Sequence, residues 1–328
     1  MNLKALEYYR CNCGSTLKIL GANQSTDDSE ILEARLYCDK CGSCWPIKHG
    51  IPRFVPERSY ADSFGYQWNI HAKTQLDSYT GLPISRNRLF GVTGWPQHME
   101  GQKILEAGSG AGRFTEVLLG TGAEIFSFDF SSAVEANWAN NGHCPNLNLF
   151  QGDIFNIPLR ERSFDKVLCL GVIQHTPDPE KAFRSLSRYV RPGGELVIDV
   201  YAKSALRLLR WQYVLRPITR RMNKERLYRL VSRIVPILLP CAISLRRLLG
   251  TLGSRLLPIA EYSQLGLQRE LNREWAILDT FDIYSPAHDH PRSLQTIRWY
   301  FREADFVDVT VKYGPNGIVG RGRRPVLA

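Results

Sequence analysis

The segment 103–131, KILEAGSGAGRFTEVLLGTGAEIFSFDFS, limits the possible folds more than any other part of the sequence. It reads as an apolar strand, a turn with glycine at every second position, a helix, and a second strand that ends in an acid. Gly108, Gly110 and Gly112 form the turn, where absent side chains let backbone N–H groups approach a ligand at a helix N-terminus. The segment therefore predicts a ligand site at the carboxyl ends of parallel strands.

Apolar segments continue this alternation of strand and helix along the chain. Strands are predicted at residues 103–108, 124–130, 147–153, 164–171 and 194–201, with helical stretches after most of them. The alternation indicates an α/β fold, a parallel sheet with helices on both faces. Near the end, SLQTIRWYFREADFVDVTVKYG predicts a helix and a strand that return to the sheet, and GRGRRP ends a last strand.

The spacing of the glycines argues against a dinucleotide-binding turn. In that fingerprint the sixth position is Gly or Ala, whereas the sixth position counted from Gly108 is Arg113. Asp129 ends the second strand about 20 residues on, where a carboxylate can accept hydrogen bonds from ribose hydroxyls. Asp153 ends the third strand, a position suited to the exocyclic amine of adenine. A single acid at a strand end is usually a helix N-cap, so only the combination is informative.

Five segments in order resemble the class I S-adenosylmethionine (SAM)-dependent methyltransferases: LEAGSGAGRF, SFDFS, QGDIFNIPL, SFDKVLCLGVIQHTPDP and RPGG, over residues 60–202. The resemblance implies a Rossmann-like methyltransferase sheet and SAM as cofactor. It implies that Glu106, in place of the commoner Asp, holds the amino acid end of SAM together with the glycine turn. The other cofactor contacts that it implies are Gly108, Gly110, Gly112, Asp129, Phe130, Asp153, Ile154 and Gly171.

The segment SFGYQWN, upstream of the first strand, resembles the entry segment of a bacterial methyltransferase subgroup. That resemblance implies a lid over the cofactor made of Phe64, Tyr66, Gln67 and Trp68, with Gln67 and Trp68 touching the cofactor. The alternative is a helix whose aromatic side chains pack on the sheet.

Two groups of residues are candidates for the chemistry at the methyl group. His175 follows the fourth strand, where the family places residues that face the transferred methyl, and an imidazole can deprotonate a hydroxyl or amine. The alternative is a histidine that caps the strand. The segment DTFDIYSPAHDHP, with Asp282, Tyr284, His288 and His290, predicts a substrate-facing loop rather than a metal site, and Tyr284 and His288 are further catalytic candidates.

Five of the eight cysteines lie within the first 44 residues. Cys11 and Cys13 are separated by 24 residues from Cys38 and Cys41, and two such pairs can form a closed tetrahedral zinc site. An exchange of Cys44 for Cys13, and reduced cysteines without metal, are the alternatives. The segment CGSCWPIKHGIPRFVPE resembles the zinc-ribbon domain of the Trm112 family over residues 8–57, which implies a platform or activator role.

The net charge of +10 comes from one segment. Residues 203–258 hold thirteen Lys or Arg and one acid, Glu225, within a helical pattern rich in Leu and Ile. Such a segment can lie on an anionic membrane surface, or bind RNA phosphates, or be an ordinary helical cap; its apolar content favours the membrane over RNA. The start of the chain lacks the apolar segment of a signal peptide and residues 234–245 are too short to span a membrane, so a cytoplasmic, peripherally attached protein is expected.

The sequence therefore predicts four parts: a zinc ribbon at 1–57, a SAM-binding core at 58–202, a basic helical insert at 203–272, and the end of the sheet at 273–328. The predicted activity is methyl transfer to a hydroxyl or amine of a small-molecule, glycan or lipid-linked acceptor. An RNA methyltransferase is the alternative, although no Asn-Pro-Pro-Tyr type segment follows the fourth strand. A non-catalytic binding partner is the second alternative.

Overall fold

A computed structural model describes residues 1–24, 30–55, 62–203 and 211–326. Three predicted features lie wholly or partly outside these residues. They are part of the segment between the two cysteine pairs (25–29), the junction between the first two predicted parts (56–61), and the first residues of the basic insert (204–210).

The N-terminal unit is a small antiparallel sheet. A 3-10 helix (Leu3–Glu7) precedes four strands paired in chain order. They are β1 (Lys18–Gln24), β2 (Ile31–Tyr37), β3 (Cys44–Lys48) and β4 (Ile51–Pro52). Cys11 and Cys13 precede β1, and Cys38 and Cys41 lie in the connection between β2 and β3.

The central sheet has seven strands in the order β10-β11-β9-β8-β5-β6-β7. The first five in chain order are parallel, whereas β11 is antiparallel to both β9 and β10. Because the chain runs from β5 outwards to β7 and then returns to the other side of β5, a crevice opens between β5 and β8. The strands are β5 (Lys103–Ala107), β6 (Glu124–Asp129), β7 (Leu147–Gln151), β8 (Phe164–Leu170), β9 (Val190–Val200), β10 (Val307–Gly314) and β11 (Gly317–Arg323).

Helices cover both faces of this sheet, which confirms the predicted fold class. Alternate strand residues face opposite sides, so Leu105 belongs to one buried core and Ile104 to the other. Local signals begin the helices: the Asp178 side chain accepts hydrogen bonds from two backbone N–H groups before Pro179 opens its helix. The helices are α1 (Asp62–Ile70), α2 (Asp77–Thr80), α3 (Ile84–Thr93), α4 (Arg113–Leu119), α5 (Ala133–Asn141), α6 (Pro179–Ser187) and, after the insert, α10 (Leu294–Glu303).

The basic insert is a helical layer with a core of its own. It contains α7 (Trp211–Thr219), α8 (Lys224–Gly253) and α9 (Arg269–Tyr284), and the backbone of α8 is kinked at Gly250. The predicted boundary at residue 272 falls inside α9. The apolar run 234–245 is part of the 30-residue α8, which by length and composition could cross a membrane. Only 17% of its most apolar window is buried, and within the described residues α8 alone meets that criterion.

The zinc-ribbon unit does not stand apart from the sheet. Tyr9 is fully buried, stacks on Phe54 and lies edge-on to Phe150. The Arg53 side chain donates hydrogen bonds to Gln151 and Glu135. The chain after β4 runs beside β7, where the Phe54 N–H donates to the Gln151 carbonyl at 2.9 Å. The ribbon therefore covers the edge of the sheet and shares its core.

Candidate active site

A cavity of about 700 Å³ opens at the carboxyl ends of the parallel strands, beside the crevice between β5 and β8. One part of its wall is the glycine turn with the ends of β6 and β7, and the other part comes from the 3-10 turn after β8 and from α9. The predicted site residues in the wall are Gly108, Gly110, Asp129, Phe130, Ile154, Gly171, Trp68 and His175. One cavity thus joins the predicted cofactor residues to the predicted catalytic histidine.

Two of the three glycines in the turn lie in this wall. Gly108 and Gly110 both have positive φ, and a Cβ on Gly108 would come within 2.3 Å of the Val172 side chain. A Cβ on Gly110 would lie 3.2 Å from the Trp68 indole. The turn therefore leaves a narrow cradle that side chains would fill.

Gly112 has a different function from the one predicted. It is outside the cavity wall and begins α4, and a Cβ there would come within 2.3 Å of side-chain atoms of Asn137 and Asn141. Its absent side chain lets α4 pack closely against α5, so Gly112 serves the fold rather than the ligand.

Asp129 connects the end of β6 to the glycine turn. Its carboxylate accepts hydrogen bonds from the Gly110 N–H at 2.9 Å and from the Ser131 N–H and hydroxyl at 2.9 and 2.7 Å. Burial raises the pKa of Asp129, while these hydrogen bonds act in the opposite direction. The wall thus presents a carboxylate held in a fixed orientation, as ribose recognition needs.

Asp153 itself is not part of the wall, although Gly152 and Ile154 on either side are. Its Oδ1 accepts a hydrogen bond from the Phe155 N–H at 2.9 Å, so the side chain caps its own turn. Ile154 and Gly152, rather than the Asp153 carboxylate, face the place predicted for adenine.

Glu106 lies beneath the glycine turn and outside the wall. It is 3% exposed, and its Oε2 accepts hydrogen bonds from the hydroxyls of Thr115 at 2.6 Å and Ser127 at 2.7 Å. Burial raises the pKa of Glu106 to about 7, against the effect of these two hydrogen bonds. The predicted direct contact with the cofactor is therefore replaced by a buried network that ties β5, α4 and β6 together.

The predicted lid divides into two halves. Phe64 and Trp68 line the cavity, whereas Tyr66 packs against Tyr228 and Phe281 of the insert. Gln67 is buried outside the wall, and its Nε2 donates to Asp282 at 3.2 Å. Helix α1 is therefore both a wall of the cavity and a packing element, and Gln67 acts through Asp282.

His175 occupies the position that the sequence predicted. It ends the 3-10 turn Ile173–His175, is 7% exposed, and lies edge-on to Tyr201 with ring centroids 5.4 Å apart. Its Nδ1 is 3.1 Å from the carbonyl oxygen of His288. A carbonyl only accepts, so the neutral ring carries its proton on Nδ1 and the lone pair on Nε2.

The other two catalytic candidates lie elsewhere. The Tyr284 hydroxyl donates to the Pro258 carbonyl at 2.9 Å, and the ring belongs to the core of the insert. His288 is outside the wall, stacks with His290, and supplies its backbone carbonyl to His175. The segment predicted as a loop is helical up to Tyr284, which turns that side chain away from the cavity.

Two carboxylates on α9 form part of the wall: Asp282, which belongs to the segment predicted to face the substrate, and Asp279, which the sequence analysis did not single out. Asp279 and Asp282 are one helical turn apart and face the cavity, and burial raises the pKa of each to about 6. Asp279 accepts hydrogen bonds from Tyr262, Trp275 and Gln75. Their spacing, with Trp275 four residues before Asp279, is a helical signal that the following Ser-Pro obscured.

A buried arginine completes this side of the wall. Arg113 donates to Gln75 Oε1 at 2.6 Å, and Gln75 Nε2 in turn donates to Asp279 at 3.2 Å. Burial lowers the pKa of Arg113 to about 9. The chain of contacts links the helix after the glycine turn to α9 and fixes the distance between the two ends of the cavity.

The N-terminal cysteines converge in a second site. The Sγ atoms of Cys11, Cys13, Cys38 and Cys41 all lie within 4.8 Å of one another. Thiolates around tetrahedral zinc are about 3.8 Å apart, so this donor set fits that metal. Cys44 lies on β3, outside the four-cysteine group, so it does not replace Cys13.

Comparisons with known proteins agree with this geometry. Residues 105–198 match the sequence family described as a methyltransferase domain. An uncharacterised protein from Synechococcus sp. is 31% identical over 145 residues, which cover 42% of this chain and 32% of that protein. A demethylmenaquinone methyltransferase from Paenarthrobacter aurescens is 28% identical over 113 residues, covering 34% of this chain and 44% of that protein.

The matched region thus covers less than half the length of either curated relative. Among solved structures, a chain from the complex between the Haloferax volcanii Trm112 methyltransferase activator and a methyltransferase superposes with a TM-score of 0.45 and 14% identity, covering 80% of this chain and 98% of that chain. The matched residues 105–198 supply the glycine turn, Asp129 and His175. Over these residues the chain is similar to a methyltransferase domain.

Proposed function

We propose that the chain transfers the methyl group of SAM to a hydroxyl or amine of a small acceptor, free or carried on a glycan or a lipid. The observation that carries this proposal is the single cavity, which has the glycine cradle and Asp129 at one end and His175 at the other. A transferase needs both substrates in contact within one enclosed space, because orientation supplies much of the rate of such a displacement.

The cofactor end would be held by backbone and side-chain groups. Gly108 and Gly110 leave room for the amino acid part of SAM, Asp129 accepts from its ribose, and Ile154 packs on its adenine. When bound, SAM supplies an electrophilic methyl group on a sulfonium. Trp68 lies against the glycine turn and would shield that end from water.

At the acceptor end, His175 would act as the general base. Because its Nδ1 proton points at the His288 carbonyl, the neutral ring has its lone pair on Nε2, the nitrogen that would take the proton of the acceptor. The acceptor oxygen or nitrogen then forms its bond to the methyl carbon as the carbon–sulfur bond breaks. The proton passes to His175, so charge is balanced without a further reactant.

The character of the wall supports a small acceptor. The volume of about 700 Å³ is within the usual range for small-molecule sites, and aromatic residues such as Tyr201, Tyr262 and Trp275 line it. Asp282 adds a carboxylate that can accept a hydrogen bond from a hydroxyl or amine. A glycan or lipid chain attached to the acceptor would extend out of the cavity.

The four cysteines would hold a structural zinc ion. All four ligands come from the protein, so the metal would have no open position for catalysis. Since the ribbon shares its core with β7, zinc would stabilise the edge of the catalytic sheet as well as the ribbon. We place the protein in the cytoplasm, where thiols remain reduced and can bind metal.

The test combines binding with acceptor identification. Calorimetry with S-adenosylhomocysteine should detect binding, and Asp129→Ala should weaken it at least tenfold. Extracts incubated with SAM labelled in its methyl group are then separated into small metabolites, lipid-linked glycans, lipids and RNA nucleosides. Label that appears in one non-RNA fraction and is lost with His175→Gln supports the proposal.

The matched control is His143→Gln, an exposed histidine after α5 and outside the cavity wall. Label confined to an RNA nucleoside would replace the acceptor class with RNA. No binding of S-adenosylhomocysteine by the folded protein would favour a non-catalytic binding partner.

A further inference from the structure

Helix α8 carries an apolar stripe that the rest of the described fold leaves uncovered. Ile237 is 73% exposed and Leu248 is 79% exposed. The stripe follows helical spacing, with steps of three and four residues, which places its members on one face. Its positions, all before the kink at Gly250, are Leu230, Ile234, Ile237, Cys241, Leu245 and Leu248.

This stripe is separate from the face that holds α8 in the protein. Leu227, Val231, Val235 and Leu239 are buried in the core shared with Ala276 and Phe281 of α9. The core is complete without the stripe, so the stripe is a surface of the folded protein. Because one face is fixed to α9, α8 could lie along a bilayer rather than cross it.

A row of arginines borders the stripe on one side. Arg229, Arg233 and Arg247 are exposed. Each comes immediately before a stripe residue, and an α-helix turns by about 100° per residue, so all three lie to the same side. The only acid on α8 is Glu225 in its first turn.

Helix α7 adds a second apolar edge. Trp211, Val214 and Ile218 are exposed at helical spacing, and the Trp211 indole N–H donates to the Leu256 carbonyl at 2.9 Å. That contact ties the start of α7 to the end of the α8 segment. Tryptophan with one apolar and one polar side is typical of the membrane interface.

We propose that the exposed faces of α7 and α8 dock on an anionic membrane surface. The stripe, about 27 Å long at 1.5 Å per residue, would enter the boundary between head groups and acyl chains, and the arginine row would bind lipid phosphates. Charge complementarity favours this occupant. An antiparallel symmetric dimer through the stripe would bring two arginine rows together, and a parallel one would leave both rows without acids to neutralise them.

The insert also reaches the cavity. Tyr262, Gln264 and Leu265, in the connection from α8 to α9, line it. If the proposed methyl transfer is correct, this placement suits an acceptor carried by a lipid. Membrane docking itself does not depend on methyl transfer and is measured without SAM.

The test is co-sedimentation of the full chain with vesicles of phosphatidylcholine, with and without phosphatidylglycerol. Binding should require phosphatidylglycerol, fall on the order of tenfold in Arg229→Gln/Arg233→Gln, and be lost in Ile237→Asp/Leu248→Asp. The matched control is Leu20→Asp/Tyr313→Asp, which changes two exposed apolar residues of the sheets. It should bind like the wild type.

Three outcomes would overturn docking. In the first, the protein still binds S-adenosylhomocysteine but sediments with neither kind of vesicle. Measuring that binding separates failure of docking from failure of the proposed activity. Another is a dimer that Ile237→Asp/Leu248→Asp dissociates. The third is steeply salt-dependent RNA binding that the arginine variant abolishes while vesicle binding is absent.

Discussion

The Nδ1 atom of His175 lies 3.1 Å from the backbone carbonyl oxygen of His288, which joins the turn after β8 to the segment after α9. This contact sets the tautomer of a buried histidine in the cavity wall. It also means that the insert helps to orient the proposed base, since His288 follows the last insert helix.

The first prediction separates the two histidines. His175→Gln should lower kcat by a factor of about 10² to 10⁴, the usual contribution of a general base, with unchanged affinity for S-adenosylhomocysteine. His288→Ala should keep kcat within about threefold of the wild type, because His288 contributes its carbonyl. A similar loss of kcat in both variants would contradict the assignment of His175 as the general base.

The second prediction concerns the glycine turn. Gly112→Ala should destabilise the protein by about 1 to 3 kcal/mol, because its φ is 91° and the new Cβ would collide with Asn137. Gly110→Ala should weaken S-adenosylhomocysteine binding at least tenfold, because its Cβ enters the cradle. Thermal unfolding and calorimetry on both variants distinguish these effects. Equal losses of binding would contradict the assignment of Gly110 to the ligand and Gly112 to the fold.

The sequence predicted the parallel sheet, the glycine turn, the cluster of four cysteines and the place of His175 after the fourth strand, because each depends on local spacing. It did not predict the hydrogen bonds of Glu106 and Asp153, whose carboxylates bond to nearby hydroxyls or to their own backbone and lie outside the cavity wall. Whether a strand-end acid faces a ligand depends on neighbours distant in sequence.

The same limit applies to α9 and the ribbon. A Ser-Pro sequence after Tyr284 suggested a loop, although the helix ends only there and displays Asp279 and Asp282 on one face. That the ribbon shares a core with β7 depends on contacts such as Tyr9 on Phe150, which no local pattern encodes.

The third prediction is a pH effect at Asp282. Burial raises the pKa of this carboxyl from 3.8 to about 6, so between these pH values the folded state binds more protons than the unfolded state. Stability therefore falls as pH rises through this window and stays lower above it. Asp282→Asn removes this pH dependence, and the asparagine side-chain oxygen can still accept a hydrogen bond from Gln67.

Asp282→Asn should match the wild type near pH 4 and be more stable at pH 8, by on the order of 1 kcal/mol because the cavity lets water screen the charge. Denaturant unfolding across this range measures the difference. Glu270→Gln, at the exposed start of α9, is the control and should follow the wild type throughout. If Asp282→Asn changed the free energy of unfolding by the same amount at all pH values, titration of Asp282 would not explain the difference.

The fourth prediction concerns the metal. The purified protein should hold one zinc per chain, Cys13→Ser should lose most of it, and Cys44→Ser should retain it, because Cys44 lies outside the four-cysteine group. Chelation should lower the melting temperature of the whole chain, since the ribbon and the catalytic sheet share one core around Tyr9 and Phe150. Elemental analysis and thermal unfolding test both statements. Zinc loss in Cys44→Ser equal to that in Cys13→Ser would contradict the assignment of the four ligands. A chelated ribbon that unfolds while the sheet keeps its melting temperature would show that the two units are less closely coupled than their shared core indicates.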